Sequence, residues 1–136
     1  MRYRFHRLIC LFLLFSATGF AQLDERKSVE TRRQASDTVR VNVLVQQIFQ
    51  LREIDPSKAI QLCLETIDLS RQLGYQKGIG RATTSLGWIY FRRGDYVKAL
   101  GYSIEALKIS EKIGDHIAIA HSLNNMAAIY NEEKQY

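Results

Sequence analysis

Proline occurs once in the 136-residue chain, at Pro56, and glycine only eight times, so neither a proline-rich spacer nor a low-complexity segment is present. Cysteine occurs twice, as Cys10 and Cys63. Cys10 lies in an apolar run at the start of the chain, which leaves Cys63 without an internal disulfide partner and excludes a disulfide-stapled scaffold. Cys63 shares a helical stripe with Ala59, Ile60 and Ile67 and reads as a small buried hydrophobe. The content of 46% hydrophobic and 24% charged residues is that of one ordinary globular domain.

Motifs for chemistry are also missing. His116 and His121 are five positions apart, off a shared helix face, and no cysteine or carboxylate completes a four-ligand set. Ser85, Ser103, Ser110 and Ser122 have no histidine and acid arranged around them as a nucleophile would need. The glycine-rich stretch Gly74-Tyr75-Gln76-Lys77-Gly78-Ile79-Gly80 lacks the Gly-Lys-Ser/Thr ending of a phosphate loop and follows a helix rather than a strand. It reads as an inter-helix turn. The expectation is a protein that is not an enzyme, with no cofactor and no metal.

What is present begins with a leader. Arg2, Arg4 and Arg7 precede the apolar run Leu8 to Phe15, and small residues at Gly19 and Ala21 close the segment. That order is the pattern of a secretory signal peptide over 1–21, cleaved near Ala21. The run is short of the ~20 apolar residues that span a bilayer. The expected location is therefore outside the cytoplasm, periplasmic or extracytoplasmic. The formal net charge of +5 largely leaves with the leader, since residues beyond it hold 16 basic against 14 acidic side chains, or +2. Nucleic acid is not expected as a partner of this segment.

Residues 22–37 are polar and without an apolar period, and read as a linker or frayed entry. From 38 onward the period is helical. Asp37 is placed to cap a first helix carrying Val41, Leu44, Val45, Ile48 and Leu51. Asp55-Pro56 starts a second, Asp supplying a side-chain acceptor and Pro suiting the first helical position. Gly74 is placed to end that helix in a left-handed cap. A third helix is expected from about Gly78 to Arg93, a fourth from Asp95 to about Gly114, and a fifth from about Asp115 to Glu133.

These helices echo one another at 40 residues. Leu86-Gly87-Trp88-Ile89-Tyr90 is answered by Met126-Ala127-Ala128-Ile129-Tyr130, and Tyr96 by Tyr136. Upstream, Asp55 and Ala59-Ile60 stand 40 residues before Asp95 and Ala99-Leu100. A fixed period of this size marks one supersecondary unit stacked on itself. A glycine inside a helix costs ~1 kcal/mol relative to Ala, so Gly87 is expected to have a packing reason.

The positions Leu86, Gly87, Tyr90, Gly94, Tyr96, Ala99 and Ala106 resemble the tetratricopeptide repeat, TPR. Thr83 stands where that family has Trp, Ser103 where it has Phe, and the closing Pro is missing. The 40-residue period resembles the family's longer-repeat subgroup. The first unit departs most, with Gln46, Gln47 and Gln50 at the key apolar positions of its leading helix. The resemblance implies an all-α fold, a right-handed α–α superhelix of about two and a half helix hairpins. The units are 38–77, 78–117 and an incomplete 118–136 within a repeat domain at 38–136. Because helix five displays Ile117, Ile119, Ala120, Leu123, Met126, Ala127, Ile129 and Tyr130 with only part of that surface covered, the chain is expected to be a fragment. Self-association through helix 116–133 is expected with it.

For function, the resemblance implies a scaffold for protein–protein interaction, binding a peptide or partner helix in a concave groove lined by the leading helix of each unit. In unit two the groove residues would be Arg81, Thr84, Ser85, Trp88 and Arg92, and in unit three His121, Asn124 and Asn125. Asn125 matches the position where an asparagine holds the peptide backbone in some family members. The lysines of the family's carboxylate clamp are not matched, Thr84 standing in one of their places. The competing expectation is the extracytoplasmic sensory segment of a bacterial signalling receptor. A histidine kinase or DNA-binding effector would then follow, and contact with a membrane would come only through that downstream region.

Overall fold

The computed structural model describes the backbone of residues 2–134 and the side chains of residues 22–132 and 134. The side chains of residues 1–21, where the leader and its cleavage near Ala21 are expected, and the terminal Gln135 and Tyr136 lie outside the described residues. Five α-helices follow in order: α1 (Arg2–Leu51), α2 (Pro56–Gln72), α3 (Gln76–Arg92), α4 (Tyr96–Ile113) and α5 (His116–Glu133). There is no strand among the described residues. The architecture is an all-α helical repeat solenoid.

The chain divides into two units, 1–36 and 37–136. In the first, residues 22–36, expected as a linker or frayed entry, are helical with every side chain exposed. Helix formers such as Glu25, Arg26, Lys27, Glu30 and Gln34 hold it locally. The hydroxyls of Ser28 and Thr31 donate back to the carbonyls of Glu25 and Lys27, each at 2.8 Å. Asp37, expected as an N-cap, is instead an interior residue of α1. No helix of the described residues is long and apolar enough to cross a membrane.

The second unit carries the fold, and its joints repeat every 20 residues. Gly74, Gly94 and Gly114 follow α2, α3 and α4 with φ of 64°, 76° and 69°, the left-handed region that a Cβ disfavours. One position later stand Tyr75, Asp95 and Asp115, the N-caps of α3, α4 and α5. Asp55, Asp95 and Asp115 accept from the amides of Lys58, Lys98 and Ala118 at 3.0, 3.2 and 3.5 Å. Tyr75 makes no side-chain cap bond, and its hydroxyl instead donates to Asn42 on α1 at 3.1 Å.

Helices meet through small residues. On α2 the buried seam is Ala59, Cys63, Thr66 and Ser70, and 40 residues on, along α4, it is Ala99, Ser103, Ala106 and Ser110. Cys63 thus occupies the place of Ser103, and burial pushes its thiol up to about 12. The buried hydroxyls of Thr66, Ser70, Thr83, Ser103 and Ser122 each donate to the carbonyl four residues earlier, at 2.6 to 2.8 Å, so they enter the interior already satisfied. Thr83 and Ser103 are small, and the helices close the space beside them by approaching. Gly87 shows how near. A Cβ there would lie 2.6 Å from Ser103 Oγ, 3.3 Å from the Ser103 amide nitrogen and 3.3 Å from Asn125 Nδ2. The larger apolar groups Ile48, Ile67, Ile79, Leu86 and Ile89 fill one core cluster, each worth ~1.5–3 kcal/mol of burial.

Helix α1 leaves the 40-residue register. Its buried residues Val41 and Ile48 lie 40 positions before Arg81 and Trp88, which are half-buried on the other side of α3. The joint is the cause. Four residues separate α1 from α2, against three between α3 and α4, and Ile54 rather than a left-handed glycine precedes Asp55. The glutamines of α1 are therefore not failed core positions. Gln46, Gln47 and Gln50 are exposed, and Val41 and Ile48 supply the buried face.

Candidate functional site

Three helices present one face each to a common hollow. On α1 the positions are Val45, Gln46 and Phe49, with Arg52 just after its end, on α3 Arg81, Thr84 and Ser85, and on α5 Ile117, Ala118 and His121. Each set follows the three-and-four spacing that stacks side chains on one helix face. They enclose a cavity of about 200 Å³. Pockets for whole small ligands run ~300–1,000 Å³, so this one has room for a side chain rather than a cofactor. No cluster of histidine, cysteine and acidic groups able to hold a metal occurs among the described residues.

The floor is built from polar bonds between α3 and α5. Arg81 donates to both carboxylate oxygens of Asp115, from Nε at 2.8 Å and Nη2 at 3.3 Å. That pairing holds the Asp115 carboxyl below the usual carboxylate range against the opposing effect of its burial, and it raises the Arg81 guanidinium. The hydroxyl of Thr84 donates to the Gly80 carbonyl at 2.8 Å and lies 3.3 Å from Ser122 Oγ. Asn125 is buried, and its amide donates to the Thr84 carbonyl at 3.1 Å.

The walls are aromatic. Phe49 faces His121 across the hollow, ring centres 6.4 Å apart. The Arg52 guanidinium lies over Phe49 at 3.8 Å and near Trp88 at 5.2 Å. Trp88 Nε1 donates to Glu53 Oε1 at 2.5 Å. Glu53 also draws Arg52 and Arg92 to 3.6 and 3.8 Å. Burial lowers the pKa of Arg52, an effect that the nearby Glu53 partly offsets.

The residues expected in the groove thus divide. Arg81, Thr84, Ser85 and His121 line the cavity, while Trp88 and Arg92 gather at Glu53 on its rim. Asn124 is exposed and outside the lining, and Asn125 is engaged within the protein. Arg81 lines the hollow with its charge already met by Asp115. Sequence reasoning missed the contribution of α1 and the joint after it, namely Val45, Gln46, Phe49, Arg52 and Glu53. The signal was there in the spacing of Val45, Phe49 and Arg52, hidden because a strict 40-residue offset aligns Phe49 with the buried Ile89.

Residues 80–136 match the family model described as tetratricopeptide repeat. Repeats of that family generally mediate protein–protein interaction, and its members are typically non-enzymatic scaffolds. No curated protein and no solved structure matches the chain.

Proposed function

We propose that this chain is an exported scaffold that holds an extended peptide segment of a protein partner against the hollow between α1, α3 and α5. The observation that supports it is the convergence of Phe49, Arg52, Trp88 and His121, aromatic and cationic groups from three helices, around one hollow of side-chain size. Trp and Arg are the residues most often found as energetic anchors of interfaces. Satisfied bonds beneath them, from Arg81 to Asp115 and Asn125 to Thr84, fix the helices that carry the walls, so little ordering is left for binding to cost. Export rests on the order of basic, apolar and small residues in 1–21.

The test is binding of a randomised pool of extended peptides, followed by the substitution Phe49→Ala. Phe49 is 48% exposed, so its loss should leave helicity intact. Selected peptides should bind the full chain and lose at least about tenfold in affinity to the variant, an anchor's share of binding energy. Selected peptides that bind the variant equally well would contradict the proposal.

A further inference from the structure

Arg52 is the least satisfied polar group of the hollow. Its Nε is buried with no hydrogen-bond partner, one of two such side-chain atoms among the described residues, the other being Ser110 Oγ. Ser110 Oγ sits in the closed seam against Gly80, 3.2 Å from where a Cβ would lie. Arg52 instead lines the open cavity. Its one acidic neighbour, Glu53, stands 3.6 Å from Nε, beyond hydrogen-bond reach, and is held by the Trp88 indole at 2.5 Å. A guanidinium keeps its proton at any ordinary pH. The hollow is therefore bordered by a charged fork that is 18% exposed, flanked by Phe49 and Trp88, whose Nε has no hydrogen-bond partner.

Buried donors without partners are rare in folded proteins. The planar fork of an arginine matches a carboxylate in two-point geometry better than any other side chain can. The remaining surroundings select which carboxylate fits. Val45, Phe49, Ile117 and Ala118 make the lining largely apolar, so the carboxylate must arrive on a short hydrocarbon stem. Thr84 and Ser85 give hydroxyls opposite α1. The second arginine of the lining, Arg81, is neutralised by Asp115 and does not compete.

We propose that Arg52 receives a carboxylate side chain, aspartate or glutamate, presented by an extended peptide lying in the hollow. This rests on the peptide-binding reading above and names the residue that the hollow selects. Thr84, Ser85 and His121 then border the acidic side chain, and Phe49 and Trp88 hold the fork in plane.

The test uses the full chain and two probes, 3-phenylpropionate and its uncharged amide. Trp88 is the sole tryptophan of the sequence and lies 5.2 Å from the Arg52 guanidinium, so its fluorescence reports occupancy. The His121 ring proton resonances give a second readout. The acid is expected to saturate both signals with at least about tenfold higher affinity than the amide. Arg52→Gln is expected to abolish that preference. Arg52→Lys, which keeps charge and stem but loses the fork, should retain only part of it, and circular dichroism of both variants checks the fold.

Equal binding of acid and amide by the wild-type chain overturns the proposal, as does an undiminished preference in a folded Arg52→Gln variant. If a randomised peptide pool binds in the hollow with no enrichment of aspartate or glutamate, the scaffold reading stands and the carboxylate assignment falls. If neither pool nor probe moves the Trp88 and His121 signals, both fall together.

Discussion

Asp115 starts helix α5 by accepting from the amide of Ala118 and at the same time receives a two-point hydrogen bond from Arg81 of α3. One carboxylate both caps a helix and ties it to the leading helix of the preceding unit. Asp115→Ala removes the cap, worth ~1 kcal/mol, and leaves the partly buried Arg81 unpaired. A total loss of about 2 kcal/mol is expected in urea unfolding, since breaking fully buried pairs costs ~3–5 kcal/mol.

The same pair sets an acid limit. Because Arg81 depresses the Asp115 pKa in the folded state, the stabilisation is complete above the unfolded value of ~3.9 and drains away as pH falls through the folded value. The raised Arg81 contributes stability that is lost only at pH far above the neutral range. Unfolding midpoints of wild type and Asp115→Ala should differ steadily from pH 5 to 7 and converge below about pH 4. A difference that persists undiminished at low pH would exclude the ion pair as its source.

Gly87 and Ser103 mark a close approach of α3 to α4. Gly87→Ala gains ~1 kcal/mol of helix propensity but places a methyl against Ser103 Oγ and the α4 backbone, an overpacking cost of ~1–3 kcal/mol. Net destabilisation is expected, and Ser103→Ala in the same chain should recover part of it. Gly101, also within α4, has nothing within 4 Å of its missing Cβ, so Gly101→Ala should stabilise by up to ~1 kcal/mol. Thermal midpoints of the three variants check the contrast.

Cys63 lies buried in the α2 seam with its thiol pKa pushed up to about 12. Only the thiolate reacts readily with disulfide reagents. Cys63 should be silent toward such a reagent in the folded protein at pH 8 and react fully in denaturant. Rapid reaction under native conditions would place it on an accessible surface.

Export has a direct readout. In a secreting bacterial host, the mature chain is expected to begin at Gln22, and mass spectrometry of the extracytoplasmic fraction would show it. An intact Met1 confined to the cytoplasm would contradict the leader assignment.

Much of the fold was legible because its signals are local. Gly74, Asp55-Pro56 and Asp95 act within one turn of themselves, so their effect follows from residue type. Gly87 was legible for the opposite reason: a poor helix former in mid-helix needs a neighbour to justify it, and Ser103 is that neighbour. That residues 22–36 are helical was not legible, because a helix exposed on all sides carries no apolar period.

The site was half legible. Offsets along α3 picked out Arg81, Thr84 and Ser85, which line the hollow, since that helix keeps the repeat register. They could not find Phe49 and Arg52, because one extra residue in the joint after α1 turns its faces relative to the repeat. Nor could offsets show that Asn125 is engaged by the Thr84 carbonyl, a bond that depends on how closely α3 and α5 pack.

A partner peptide is proposed to bind in the hollow between α1, α3 and α5. Backbone amide shifts of the labelled chain, followed during titration with a peptide selected from the randomised pool, test it most directly. Saturable changes are expected at Val45, Phe49, Arg52, Ser85, Trp88 and His121, with α2 and the exposed side of α4 at Val97 and Gly101 unmoved. Changes centred on α2 or on that side of α4, with the hollow residues silent, would contradict it.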